Sequence, residues 1–351
     1  MKCLTFSFLI ILIVFIATTF AEKEPHRHKG YKHVFHDEYR KYLDAHPSKN
    51  HHEWSEERKF RREQRFNQTL EWIKNHKKNH HPYDVGVTRF ADVLEEDLPK
   101  YHGLDESQNR HQRALPVINP LTSPPPASLD YTSWAPPITD QGKCGSCWAF
   151  STIGMLSTVY RYTSNKVWNY SLSEQYLVDC DAFDNGCNGG WPKNTLLWLK
   201  NQSSLIPDSA SYPYTSGTTA NRTACKVTGL NKIPLKLTNI YQWNVNGNET
   251  LTKQILYSYG PVVTTMSVPL NCTAFYSYKS GVYVDNCNCV SNCTLVNHGV
   301  VLMGYGTENG LNYWLFRNSW GTTWGNNGYM KIARSSLNKC NMACFLMGIE
   351  Q

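Results

Sequence analysis

Two cysteines three residues apart, Cys144 and Cys147, stand in the string Gln141-Gly142-Lys143-Cys144-Gly145-Ser146-Cys147-Trp148-Ala149-Phe150-Ser151. A Cys-x-x-Cys pair alone reads as a redox couple, half of a zinc site, or two halves of unrelated disulfides. The residues that follow, Ala149 to Tyr160, are compatible with a helix, which places Cys147 at its start. There the dipole and the free N–H groups favour an anion, lower a thiol's pKa and keep it reactive. A thiol nucleophile then needs a base that ionises it and later protonates a leaving amine, a task for histidine. Beyond the proline-rich stretch Pro116 to Pro126 the chain holds one histidine, His298, in Val296-Asn297-His298-Gly299-Val300-Val301-Leu302. A lone histidine at a strand edge is usually structural, and only Cys147 turns the odds towards catalysis.

Twenty residues on, Asn318-Ser319-Trp320-Gly321 offers an amide carbonyl to orient the imidazole and an indole to shield that bond from water, although such a string could be a turn only. Gln141, six residues before Cys147, could aim its amide N–H at a carbonyl oxygen beside the Cys147 N–H, forming an oxyanion hole.

Several elements must position these groups. Helical signals cluster at Cys147 to Tyr162, Ser173 to Asp179 and Asn194 to Asn201. After Gly260-Pro261 come β-branched and aromatic runs, Val262 to Val268, Gly281 to Val284, His298 to Gly304, Tyr313 to Asn318 and Gly328 to Ile332, punctuated by Gly and Asn. A helical half thus precedes a β-rich half.

Residues 1–21 read as a secretory signal peptide, with Lys2 as the basic start, Leu4 to Ile16 as the apolar run and Thr19-Phe20-Ala21 as the cleavage site. The run is too short for a confident membrane span. Entry to an oxidising pathway makes the remaining eleven cysteines disulfide candidates, and an odd number leaves one thiol over. Sequons at Asn67, Asn169, Asn201, Asn221, Asn248, Asn271 and Asn292 fit a glycosylated, exported protein. The formal charge of +7 is spread, +2 over residues 22–125 and +4 over residues 126–351, and does not support nucleic-acid binding.

Residues 22–125 differ in texture from the rest: charged, free of cysteine, and carrying twelve of the thirteen histidines. His52 to Lys78 has helical periodicity, and Gly86 to Asp92 reads as a short strand entering an acidic, helix-starting stretch. The proline-rich end reads as an extended, cuttable linker removed on activation. Acidification would protonate the histidines and carry this unit from +2 towards roughly +14 against an already positive partner, which would loosen it.

Gln141 with Cys144-Gly145-Ser146-Cys147-Trp148, Asn297-His298-Gly299-Val300, and Asn318-Ser319-Trp320-Gly321 through Trp324-Gly325 resemble papain-like cysteine proteases in order and spacing, from about Leu129 to the C-terminus. The resemblance implies an α+β fold of two subdomains, one mostly helical and one a β-barrel-like sheet, with Cys147 and His298 facing across the cleft. It implies that Cys144 is a half-cystine, that residues 126–351 form the peptidase domain, and that residues 22–125 are a mainly helical inhibitory propeptide. Gly189, Gly190, Trp191 and Pro192 then match the substrate-binding loop. Thr265, Gly299 and Phe345 line the S2 pocket with Trp191 and Pro192, and Trp320 borders the substrate. None of these is acidic, so a hydrophobic P2 residue is expected, with Phe345 limiting depth.

The family pattern further pairs Cys144 with Cys187 and Cys180 with Cys225, and Cys340 with a cysteine shortly before His298. It leaves Cys272, Cys287, Cys289, Cys293, Cys340 and Cys344 with fifteen pairings. Ligand type would allow zinc on Cys287, Cys289, Cys293 and His298, but the compartment and the even count favour disulfides, so no metal or cofactor is expected. Arg62, Phe66, Ile73, Gly86, Phe90 and Asp92 match the family's propeptide, while Thr69, Lys77 and Thr88 replace asparagines and Tyr131 replaces a tryptophan. A secreted or lysosomal endopeptidase made as a zymogen is the implied function. Its expected partners are peptide substrates, its own propeptide and cystatin-type inhibitors, and a monomer is expected. A carboxydipeptidase would need a second mature histidine. A catalytically silent relative would lack the nucleophile, and a thioredoxin-like enzyme would need a βαβ pattern that the chain lacks.

Overall fold

The computed structural model describes residues 36–46, 51–108, 124–284, 287, 289, 293–334 and 339–350. The signal peptide, most of the proline-rich linker and Asn292 lie outside the described residues.

The helices are α1 (His36–Asp44), α2 (Glu56–His76), α3 (Cys147–Thr163), α4 (Glu174–Cys180), α5 (Pro192–Asn201), α6 (Ser216–Thr219), α7 (Glu249–Tyr259) and α8 (Thr273–Tyr276). The strands are β1 (Tyr83–Val85), β2 (Leu129–Asp130), β3 (Leu205–Pro207), β4 (Lys232–Pro234), β5 (Ile240–Asn244), β6 (Val262–Met266), β7 (Tyr278–Tyr283), β8 (His298–Glu308), β9 (Leu311–Arg317), β10 (Tyr329–Ala333) and β11 (Phe345–Ile349).

Helix α3 is buried along residues 147–159, because its first thirteen residues carry no charge and every face meets protein. It lies against β8, which is itself buried from His298 to Gly306. The main sheet runs β1-β7-β10-β9-β8-β6-β11-β5, with β2 paired to β8. All its pairs are antiparallel except β10 with β7. The sheet is mixed and does not close into a barrel, since β1 and β5 remain its two ends. Together the helices and the sheet make the α+β fold.

Five disulfides tie the described residues: Cys144–Cys187, Cys180–Cys225, Cys272–Cys287, Cys289–Cys340 and Cys293–Cys344. Cys287, Cys289 and Cys293 are therefore all bonded to sulfur, and among the described residues Cys147 is the free thiol.

The N-terminal unit docks on this body. Ser55 caps α2 by accepting from the Arg58 N–H at 3.2 Å, Glu56 and Glu57 complement the positive end, and Lys74 the negative end. Its inner face, Arg62, Phe66, Thr69, Leu70 and Ile73, is buried, and Tyr39 and Tyr42 of α1 pack on Phe66 at 5.1 and 4.8 Å. The segment Gly86 to Asp92 is not a strand. The strand lies just before it, where β1 pairs with the edge of β7 through Tyr83↔Gly281, while residues 88–93 are turned by the Thr88 and Phe90 carbonyls accepting from Ala91 and Val93. The acidic stretch after it winds as a 3-10 helix, Glu95–Tyr101, with Pro99 inside it.

Candidate active site

Three element ends meet at one point. Cys147 is the first residue of α3, His298 the first of β8, and Asn318 follows the last residue of β9. Strands β8 and β9 are antiparallel, so the start of one lies beside the end of the other, with Val301 opposite Arg317. The Asn318 Oδ1 lies 2.8 Å from His298 Nε2 and accepts its proton, and it also takes the Ser319 N–H at 2.8 Å. Trp320 stacks on the imidazole at 4.8 Å and 27°, and both rings are buried. With Nε2 engaged, His298 Nδ1 is left with no hydrogen-bond partner. The neighbouring Gly299 N–H donates to Cys147 Sγ at 3.3 Å.

Gln141 is held from behind, where its Oε1 accepts from Ser319 Oγ at 2.6 Å, and its Nε2 faces the cleft. That Nε2 donates to the Cys144 carbonyl at 3.0 Å and to the His102 carbonyl at 3.1 Å. The second contact belongs to the N-terminal unit, whose residues Tyr101 to Asp105 cross the cleft as a strap. The Tyr101 carbonyl accepts from Trp320 Nε1 at 3.0 Å, and the N–H groups of Gly103 and Leu104 donate to the Asn297 carbonyl at 3.2 and 3.0 Å. Gly190 exchanges hydrogen bonds with Gly103 and Asp105 at 3.0 and 3.1 Å, as a parallel bridge at Leu104.

Glycine is required on both sides of this crossing. Gly103 has φ +130°, and a Cβ there would sit 2.0 Å from the Gly145 carbonyl oxygen. A Cβ on Gly190 would sit 2.7 Å from the Trp148 ring.

Beside Gly190, Trp191 and Phe345 meet edge to face at 5.6 Å. The Trp191 indole Nε1–H donates to Gln242 Oε1 at 2.8 Å, Pro192 opens α5, and Thr265 pairs with Gly299 across β6 and β8. Behind this loop Asp181 and Asp184 form a buried carboxyl pair, whose pKa values are pushed up by burial and, for Asp181, by the neighbouring carboxylate.

Burial reverses the electrostatics that the helix start alone suggests. Burial pushes the Cys147 thiol up to about 12 and outweighs the Gly299, Trp148 and Cys147 N–H groups, which lower it. The same burial pushes His298 down to about 4 against the Asn318 hydrogen bond, which raises it. In this covered form the thiol and the imidazole are both neutral, so the low-pKa thiol expected from the sequence is absent while the strap is in place.

Of the sequons, Asn169, Asn201, Asn221, Asn248 and Asn271 are exposed, and Asn67 is half-buried within α2. The sequence reading missed Ser319 as the brace of Gln141, Gln242 as the anchor of Trp191, and the strap itself. The available signal for the strap was a glycine, Gly103, following an acidic helical stretch.

A buried cysteine at a helix start, a histidine held by an asparagine, and a cleft plugged by the chain's own N-terminal unit define the covered form of a cysteine protease. The model of the papain family cysteine proteases matches residues 125–348, and the chain belongs to that family. It is 38% identical over 220 residues to cysteine proteinase 3 of Entamoeba histolytica, covering 62% of this chain and 66% of that protein. It is 31% identical over 279 residues to digestive cysteine proteinase 1 of Homarus americanus, covering 78% and 81%. The structure resembles the digestive procathepsin L2 proteinase of Tenebrio molitor larval midgut, with a TM-score of 0.77 and 28% identity over 90% of this chain and 99% of that one.

Proposed function

We propose that the chain is a cysteine endopeptidase of the secretory pathway, made as a zymogen and destined for a lysosome, an acidic vacuole or the extracellular space. Residues 1–21 are its signal peptide, residues 22–125 its inhibitory propeptide, and residues 126–351 its peptidase domain, working as a monomer open to cystatin-type inhibitors. The observation that carries the reading is the meeting of Cys147, His298 and Asn318 under a strap that also takes the Gln141 amide.

When the strap leaves, the burial that holds the thiol up and the imidazole down is relieved, and a proton passes from Cys147 to His298 Nδ1. The thiolate attacks a peptide carbonyl, and Gln141 Nε2 with the Cys147 N–H stabilises the oxyanion. His298 protonates the leaving amine, water then attacks the thioester with His298 as base, and the acid is released. With P2 in the pocket of Trp191 and Phe345 and the leaving group beyond Cys147 towards Trp320, a substrate runs from Gly190 to Trp320. The strap runs the other way, Tyr101 at Trp320 and Asp105 at Gly190, which supports its role as an inhibitor that is not cut.

Acidified full-length chain should shorten to the peptidase domain and hydrolyse peptides with Leu or Phe at P2; an intact chain, or release of C-terminal dipeptides alone, would refute the reading. Phe345→Ala should deepen the pocket and raise the ratio of Phe-P2 to Leu-P2 cleavage about tenfold, read as kcat/KM.

One propeptide histidine faces the active site directly. His102 is buried, its Nε2 lies 3.2 Å from the Tyr276 hydroxyl, and its ring stands 5.5 Å from His298 and 6.0 Å from Trp320. Burial, then the neighbouring His298, push its pKa well below the ordinary 6.5. The bound strap therefore holds His102 neutral, whereas the released strap takes up a proton below about pH 6.5. Docking is complete above that pH and weakens by up to tenfold per unit as the pH falls, until the bound form also protonates. His76, lowered by burial and by His81, adds in the same direction. His102→Gln should shift the onset of self-processing to lower pH; an unchanged onset would place the trigger elsewhere.

A further inference from the structure

The N-terminal unit does more than cross the cysteine. Arg89 reaches past the strap, and its Nη1 donates to the Oδ2 of Asp140, the residue immediately before Gln141. Asp140 is held rigidly: its Oδ1 accepts the Gly142 N–H at 2.8 Å, its backbone bridges to Trp320, and the adjacent Gln141 N–H donates to the Ser319 carbonyl at 2.9 Å. The Arg89 guanidinium lies 5.5 Å from the centre of the Tyr101 ring and 5.8 Å from that of Phe90, and Phe90 covers Trp320 at 4.7 Å. A cavity of about 150 Å³ adjoins them, bordered by Gly142, Lys143, Tyr214 and Gly217.

Arg89, Phe90 and Tyr101 all belong to the segment that must leave for the cleft to open. Their departure uncovers a slot with an indole face on one side and a carboxylate on the other, on the Trp320 side of Cys147. We propose that Asp140 is a specificity-determining residue of the opened enzyme, and that its slot takes an arginine or lysine side chain from the first or second position after the scissile bond. An aromatic wall for the aliphatic stem and a fixed carboxylate for the cation suit such a side chain, arginine above all. Lys143, on the same cavity wall, opposes a basic guest, yet Arg89 is accommodated beside it, so the carboxylate outweighs the ammonium. Asp140 retains 46% exposure with Arg89 in place, so the preference is modest.

The inference rests on the peptidase reading above, and its test separates the two. Internally quenched peptides sharing one hydrophobic P2 residue and carrying Arg, Ala or Glu at the first or second primed position are cleaved by the activated chain. The expected kcat/KM is about fivefold higher for Arg than for Ala at one of the two positions, and lower for Glu. Asp140→Asn keeps the oxygen that accepts from Gly142 and should bring the Arg-to-Ala ratio to about one, while Asp140→Lys should favour Glu. Equal cleavage of Arg and Ala peptides by the unsubstituted enzyme, or a ratio that survives Asp140→Asn, overturns the inference and leaves the peptidase reading standing. Failure to cleave any peptide sinks the peptidase reading; the same peptides are then compared by fluorescence anisotropy on Cys147→Ser chain cut in its linker and freed of the propeptide. Tighter binding of the Arg peptide upholds the role of Asp140, and equal binding refutes it.

Discussion

Cys147→Ser is expected to lower peptide hydrolysis at least about 10⁴-fold, because a nucleophile and its base act as one unit and the loss of either removes most of what both supply. The substitution exchanges one buried atom for a smaller one and keeps the start of α3, so the fold should survive. A serine hydroxyl cannot form the thiolate–imidazolium pair, and the Gly299 N–H loses a soft acceptor. The variant should also remain at full length at acid pH, where the unsubstituted chain processes itself. The comparison uses chain cut in the linker by an added protease, so that failure to process is not mistaken for failure to catalyse. Residual kcat/KM within tenfold of the unsubstituted chain would mean that the chemistry runs through another group.

The second large effect lies 85 residues upstream. Arg62 and Asp92 form an ion pair at 3.1 Å with side-chain exposures of 3% and 0%, and Tyr39 and Tyr42 donate their hydroxyls to the same carboxylate at 3.2 and 2.9 Å. Arg62 also stacks over Trp54 at 4.1 Å. The carboxylate keeps the Arg62 pKa raised against the opposing cost of burial, and burial followed by Asp92 raises that of Tyr42. Arg62→Met takes the guanidinium from the buried Asp92 carboxylate, a loss of about 3–5 kcal/mol. That is comparable with what a small docked unit has to lose, so the propeptide should open and the chain should process itself at neutral pH. Thermal unfolding in a Cys147→Ser background checks this, since no processing intervenes. Arg62→Met combined with Asp92→Leu should recover much of the loss, because an apolar pair leaves no unpaired buried charge. Equal stability of Arg62→Met and the parent would contradict the account.

The legible parts of this molecule were those governed by local pattern. An apolar, uncharged run after Cys147 reads directly as a buried helix, and the β-branched runs after Gly260 read as strands β6 to β10. Strand β5, helix α7 and strand β11 escaped. Ile240–Asn244 alternates too weakly to announce itself, α7 buries only Thr252, Ile255 and Leu256, and Phe345–Ile349 is a five-residue apolar run whose pairing with β5 and β6 is non-local. Cys272, Cys287, Cys289, Cys293, Cys340 and Cys344 could not be paired one to one from sequence because the fold brings together the segments between strands that carry them, 15 to 51 residues apart. At the site, residue types named Cys147, His298, Asn318 and Gln141, but not their electrical state. A helix start lowers a thiol's pKa only if water or an ion pair can keep the charge; under the strap neither does, and burial wins. Arg89 likewise reads as one basic residue in a charged segment until the fold sets it against Asp140, 51 residues on.

The most direct test of the central claim is labelling with a peptidyl epoxide carrying leucine at P2, before and after acid processing, followed by mapping of the modified residue. The account predicts one adduct, on Cys147, in the processed protein, and none in the full-length chain at neutral pH, where the thiol is neutral and covered by Gly103 and its neighbours. Equal labelling of the covered and the processed protein, or an adduct on any cysteine other than Cys147, would contradict it.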